Sequence, residues 1–230
     1  MARILYELTG ADQSRPFSPH CWKAVLSLAH KGLDFDRSPV PFTSVPQVED
    51  SFSKIVPILR DGDRIVADSF EIALYLDEAY PEGPSLFGGE SGAALARFIE
   101  AWTTTQIHTV LGGHLLLDIH AMLAPQDQDY FRTSRENRFG RPLEEVVKAS
   151  AEHVKSFSAR LEPLRLMLKR QPFIGGEGPL FDDYIVFGAF QWARVCTDEQ
   201  LLEPGDPVAD WFDRCLDLHG GVGRSIVSAA

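Results

Sequence analysis

The hydrophobic period changes twice within the first forty residues, and that change restricts the fold more than any other feature of the chain. Arg3-Ile4-Leu5-Tyr6-Glu7-Leu8 is short, apolar and rich in strand formers. From Ser18 onward, Trp22, Val25, Leu26 and Ala29 fall on one helical face. Leu33-Asp34-Phe35-Asp36 then begins a second strand, expected to run parallel to the first. Strand, helix and strand in that order make a βαβ unit. The punctuation agrees. Gly10–Pro16 is a polar loop, Pro19 stands where a first helical turn tolerates proline, and Gly32 stops the helix just after Lys31.

The handover into this helix, Phe17-Ser18-Pro19-His20-Cys21-Trp22, is the first chemically suggestive stretch. A helix start leaves backbone N–H groups without partners, and such a spot stabilises an anion, a thiolate included. Ser18 has two uses there. It caps the helix, or it donates to a bound sulfur, and these jobs compete for one hydroxyl. Ser14 on the preceding loop and Tyr6 on the strand are rival hydroxyls. Cys21, three residues after Ser18, lies inside the helix and reads as inert packing. His20 reads as solvent-facing. No partnered His/Asp pair accompanies the serine, which disfavours a Ser-His-Asp hydrolase.

The next stretch supplies a hairpin and a helix. Pro41–Asp50 shows little regular pattern, and Phe52–Lys54 reads as a short helix. Val56-Pro57-Ile58-Leu59 reads as a strand, Asp61-Gly62 as a turn and Arg64-Ile65-Val66 as the return strand. Asp68 or Ser69 caps a helix whose apolar face is Ile72, Ala73, Leu76 and Ala79. The result is a small mixed sheet with helices over residues 1–80.

Tyr80–Pro84 and Gly88-Gly89 are turn-rich, so residues 81–90 read as a linker and 91–230 as a second, helical domain. Ala93–His120 reads as one long helix. Its stripe of Leu95, Ile99 and Trp102 gives way to Thr105, Gln106, Thr109, Gly112 and Gly113, a seam lacking bulk that suits a pocket wall or close packing. His114 and Asp118 are four apart and read as a hydrogen-bonded pair; no third ligand at useful spacing suggests a metal. Ala124–Arg141 is polar, with Pro125 and Gly140 as breakers. Pro142–Arg170 is helical, interrupted at Pro163. Asp183–Val195 is apolar on most faces, as a buried helix must be. Pro207–Leu218 is the last helix.

Composition excludes some partners. A net charge of −11 argues against nucleic acid or an anionic membrane as the main partner. No apolar run approaches the roughly 20 residues of a membrane span, and no leader pattern precedes the first strand. Three cysteines without disulfide or metal spacing imply a reducing, cytoplasmic setting.

Three motifs, in order and correctly spaced, make the first domain resemble the thioredoxin-like domain of a glutathione transferase. They are Ser18-Pro19 with Lys31-Gly32, Val56-Pro57-Ile58-Leu59, and Ala67-Asp68-Ser69 opening a helix. The resemblance implies the two-domain architecture of that family, α/β followed by all-α. It implies glutathione as co-substrate, with Ser18 stabilising its thiolate. Val56 and a cis Pro57 would pair with the peptide, Asp68 and Ser69 would hold its γ-glutamyl end, and Lys54 its terminal carboxylate. Each has a plainer reading: a strand-start proline, a simple cap, an exposed lysine. In the second domain the family's electrophile pocket would fall on Trp102, Gln106 and Thr109. Leu180 stands where the family keeps a hydroxyl three residues before Asp183, so the cap of that helix is the one departure. The stretches His30-Lys31-Gly32-Leu33-Asp34-Phe35-Asp36, Leu117-Asp118-Ile119-His120, Pro125-Gln126-Asp127-Gln128-Asp129-Tyr130 and Ser134-Arg135-Glu136 narrow the resemblance to bacterial β-etherases and related fungal transferases. That implies a small-molecule electrophile, an aromatic or aryl-ether compound, and a homodimer. The alternative is a protein of the same fold that binds glutathione or an aromatic ligand without catalysis.

Overall fold

A computed structural model describes residues 2–229. The first half holds a four-stranded sheet of β1 (Arg3–Leu8), β2 (Asp36–Val40), β3 (Ile58–Asp61) and β4 (Arg64–Ala67), in the order β2-β1-β3-β4. β1 and β2 are parallel, as the βαβ reading requires, and β3 and β4 run antiparallel beside them. The crossover is α1 (Pro19–His30), and α2 (Ser69–Ala79) follows the hairpin. Leu5 sits opposite Leu59, both fully buried. Asp61 pairs with Arg64, which leaves Gly62, at φ +58°, and Asp63 as the turn; only glycine adopts that φ at little cost. Glu7 is buried on β1 and accepts two hydrogen bonds from Arg37, at 2.5 and 2.7 Å. That fork anchors β2 against β1.

Local expectations need correction here: the second strand begins only at Asp36, after Leu33-Asp34-Phe35. Phe42–Gln47 forms a 3-10 turn where no regular structure is expected, and Phe52–Lys54 is a turn and bend, not a helix. Strand β3 begins at Ile58, so Val56 and Pro57 precede it.

The second half is helical: α3 (Glu90–Thr103), α4 (Thr109–His114), α5 (Leu116–Met122), α6 (Pro125–Phe139), α7 (Leu143–Lys155), α8 (Phe157–Arg160), α9 (Glu162–Leu168), α10 (Phe181–Cys196) and α11 (Pro207–Leu216). Ala93–His120 is therefore not one helix. It is interrupted by a π turn over Thr104–His108 and again at Leu115. The 124–141 stretch is a helix, because Pro125 opens it and Gly140, at φ +69°, closes it. Its charge reflects an exposed face. The expected break at Pro163 is real, since that proline stands in the first turn of α9.

Helix α10 is the axis of the molecule and is buried along nearly its whole length. Phe181 lies edge-on to Phe70, Phe187 packs against Trp22, and Phe190 against Trp211. Each such side chain taken out of water contributes about 1.5–3 kcal/mol. The departure at Leu180 does not disturb the start of the helix. Asp183 alone accepts from the N–H groups of Ile174, Gly175 and Leu180 and from the Trp211 indole, all at 2.8–3.0 Å. Leu180 contributes its carbonyl, which accepts from the Asp183 N–H. One further contact positions the site. A Cβ on Gly188 of α10 would lie 2.3 Å from the Pro19 carbonyl oxygen, so the helical half grips the opening turn of α1 through a glycine.

Candidate active site at the domain cleft

Ser18 has extended backbone angles and is the N-cap of α1. Its hydroxyl oxygen accepts from the Cys21 N–H over a long 3.4 Å. A serine hydroxyl carries two lone pairs and one proton, and the cap uses only a lone pair. Capping therefore does not spend the proton, but the Cys21 thiol also lies within hydrogen-bond reach of the Ser18 hydroxyl, so a bound sulfur would compete with that thiol for it. The residue is 5% exposed and lies two positions before the exposed His20.

The rivals of Ser18 are otherwise engaged. The Tyr6 hydroxyl donates to Glu49, which also pairs with Arg60. The Ser14 hydroxyl donates to Asp12 at 2.6 Å. Cys21 is wholly buried, and burial, with the Glu7 carboxylate adding to it, pushes its thiol up to about 12. A thiol so placed is inert at neutral pH.

The Val56-Pro57 bond is cis. Val56 takes no part in the ladder, which starts at Ile58, and Lys54 is exposed just before it. Asp68 occupies φ +75°, a region costing on the order of 1–3 kcal/mol for a residue with a side chain. The cost is offset by its cap: one carboxylate oxygen accepts from the Phe70 and Glu71 N–H groups at 2.8 and 3.2 Å. Ser69 follows, almost fully buried, as the first residue of α2.

Between the two halves lies an open cleft of about 590 Å³, lined by His20 and Asp68 from one side and by Arg97, Glu100, Ala101, Thr104 and Thr105 from the other. Glu100 accepts from the buried Lys23 ammonium at 2.8 Å, an ion pair that joins α1 to α3 across the cleft floor. Arg97 lays its guanidinium over the Phe70 ring, 4.4 Å from the centroid. His20 meets His108 edge-on at 5.4 Å, and His108 meets Trp192 at 5.9 Å. Burial, and then the Lys23 charge, push His108 down to about 4, so it is neutral at pH 7. His20 is also held below its ordinary value, by desolvation and then by Lys23 and His108.

The structure thus brings Asp68 into the cleft with His20. Trp102, Gln106 and Thr109 do not line it. Trp102 packs half-buried on the core, Gln106 donates to the Thr105 hydroxyl, and Thr109 is exposed and donates to the Thr105 carbonyl. The cleft residues of α3 and the π turn recur at 97, 100, 101, 104 and 105, a helical stripe that was legible as spacing. His114 does not pair with Asp118. It bonds Glu199 at 2.7 Å, while Asp118 turns to Thr197. No group of His, Cys, Asp or Glu suited to a metal ion occurs among the described residues.

A thioredoxin-like sheet followed by a helical bundle, with a cleft where the first helix meets the bundle, defines a two-domain class of transferase-like proteins. The chain belongs to the glutathione S-transferase family. Residues 14–85 match its N-terminal domain and residues 94–217 its C-terminal domain. Residues of this chain are 47% identical to glutathione S-transferase Z1 of Arabidopsis thaliana over 66 positions, which span 26% of this chain and 30% of that relative. A glutathione S-transferase-like protein of Aspergillus flavus, ustS, is 25% identical over 210 positions, covering 79% of this chain and 75% of its own. Among solved structures, the transferase GSTFuA3 of Phanerochaete chrysosporium superposes with a TM-score of 0.76 at 24% identity, over 96% of this chain and 92% of that one. A Ceriporiopsis subvermispora glutathione S-transferase crystallised with glutathione gives 0.75 at 21%, over 97% and 94%. At those identities the two structures speak for the fold.

Proposed function

We propose that this chain is a serine-type glutathione transferase in which residues 1–80 hold glutathione, 91–230 supply the second-substrate wall, and 81–90 join them. The supporting observation is the set of groups gathered on one domain: the Ser18 hydroxyl at the mouth of α1, the Val56 backbone outside the ladder, and Asp68 at the cleft edge. Each answers a part of the tripeptide. Asp68 and Ser69 receive the γ-glutamyl end, Val56 pairs with the peptide beside the cis Pro57, and Lys54 faces the terminal carboxylate. Ser18 donates to the sulfur. The donor and the N-terminus of α1 lower the thiol pKa from about 8.5 towards neutral. The thiolate then attacks an electrophilic carbon, a C–S bond forms, and the leaving group departs with the bonding pair. An aryl ether, losing a phenolate, is the substrate class we favour. The cleft-lining Ala101, Thr104 and Thr105 form its wall, with Trp102, Gln106 and Thr109 next to them in the chain but outside the cleft lining.

Exposed Phe52 and Ile55 on the first domain and Leu95 and Phe98 on α3 suit burial in a homodimer. The buried free cysteines suit a cytoplasmic protein, and no helix among the described residues is long and apolar enough to cross a membrane. The low exposure of Ser18 favours one competing reading, a glutathione- or aromatic-ligand-binding protein that does not turn over. Glutathione consumption measured against a β-aryl ether and a chloronitrobenzene separates them. Turnover that falls on Ser18→Ala supports the transferase, and calorimetric binding without turnover of either compound supports the binder.

A further inference from the structure

The charges of the cleft do not balance within the chain. Glu100 and Lys23 satisfy each other. Asp68 commits one carboxylate oxygen to its cap, and the other has no hydrogen-bond donor among the described residues. Arg97 makes no ion pair and donates no hydrogen bond among the described residues; its one described contact is the face of Phe70, the residue that follows Ser69. That contact holds a guanidinium, with five donors unspent, beside the start of α2. A carboxylate with a free oxygen and a cation with no anion face one cleft from its two sides.

The ligand that completes such a pair carries an ammonium and a carboxylate on one carbon. We propose that Arg97 is a specificity-determining residue for the α-carboxylate of the γ-glutamyl group, while Asp68 takes the α-ammonium. This rests on the transferase reading and extends it, because it draws a side chain of the helical half into glutathione recognition. The zwitterion is then read by both domains at once, and thiols lacking it are discriminated against. Lysine in place of arginine would keep the charge but lose the planar fork that matches a carboxylate.

Calorimetry with glutathione, with γ-aminobutyryl-cysteinyl-glycine (which lacks only the α-carboxylate) and with glutaryl-cysteinyl-glycine (which lacks only the ammonium) tests this. The wild-type chain is compared with Arg97→Met and Arg97→Lys. Arg97→Met is expected to weaken glutathione about tenfold or more and to leave the γ-aminobutyryl peptide unchanged, the difference of one charge-assisted hydrogen bond. Arg97→Lys recovers part of the loss. Unchanged glutathione affinity in Arg97→Met overturns the assignment and leaves the transferase reading intact. Equal weakening of glutathione and the γ-aminobutyryl peptide also overturns it, since the effect is then one of packing. A change confined to the KM of an acidic electrophile overturns it in favour of the second substrate. If the wild-type chain fails to bind glutathione, the transferase reading falls first and this one with it.

Discussion

Replacing Ser18 by alanine removes one hydroxyl and asks two separate questions of the structure. The first concerns folding. The cap bond to Cys21 N–H is long, at 3.4 Å, so its loss belongs at the low end of the range for N-caps, about 0.5–1 kcal/mol. The second concerns sulfur. A hydrogen bond to a charged acceptor contributes about 1.5–3 kcal/mol, which corresponds to roughly one to two units in the pKa of a bound thiol. At a pH below that pKa the thiolate fraction, and with it the rate of attack, falls about 10- to 100-fold. The ultraviolet absorbance of the thiolate, titrated in the glutathione complex of each protein, measures the shift directly. Ser18→Thr keeps the hydroxyl and is expected to stay near the wild type. Tyr6→Phe, which only releases Glu49 from one of its partners, leaves the titration in place. If Ser18→Ala binds glutathione and titrates like the wild type, the hydroxyl is a cap and nothing more, and the N–H groups of α1 do the work.

Other outcomes follow from particular contacts. Gly188→Ala gains about 1 kcal/mol of helix propensity, yet its Cβ would sit 2.3 Å from the Pro19 carbonyl oxygen, which is backbone and cannot rotate away. We expect net destabilisation in urea unfolding and weaker glutathione binding, because the start of α1 must move; a more stable protein would contradict that packing. Asp182 is buried, with one oxygen lacking a partner among the described residues, and burial followed by its neighbour Asp183 push it from 3.8 to about 7. A carboxyl raised on folding makes the folded state lose stability as pH climbs from about 4 to about 7, by on the order of 4 kcal/mol in all. Asp182→Asn should therefore raise the unfolding free energy at pH 8 much more than at pH 4, and an equal effect at both contradicts the linkage. Glu100→Gln leaves the Lys23 ammonium buried without its counter-charge, and a loss of about 3 kcal/mol is expected from denaturant midpoints; a change below about 0.5 kcal/mol would mean that water already serves that lysine.

Much of the first domain was legible because its signals are local. The switch of period at Ser18, the glycine after Lys31 and the Asp68-Ser69 cap each depend on residues within one turn of themselves, and each stands where the spacing predicts. The buried helix around Phe187 announced itself by being apolar on every side. The interruption of the long helix after the linker is not legible in the sequence, for a physical reason. A π turn adds one residue to a turn without breaking the chain of hydrogen bonds, so no proline or glycine marks it.

The composition and order of motifs, then, determine a βαβ-hairpin-helix unit and a helical remainder, because those depend on periodicity and caps. They also place Ser18 at a helix mouth. Which groups meet across the gap is beyond periodicity, since it depends on how α3 and α10 pack against α1. Arg97 over Phe70, Lys23 on Glu100 and the glycine of α10 against Pro19 join residues 27, 77 and 169 positions apart. A sequence pattern of period two or 3.6 carries no information over such separations; only the packed core sets them.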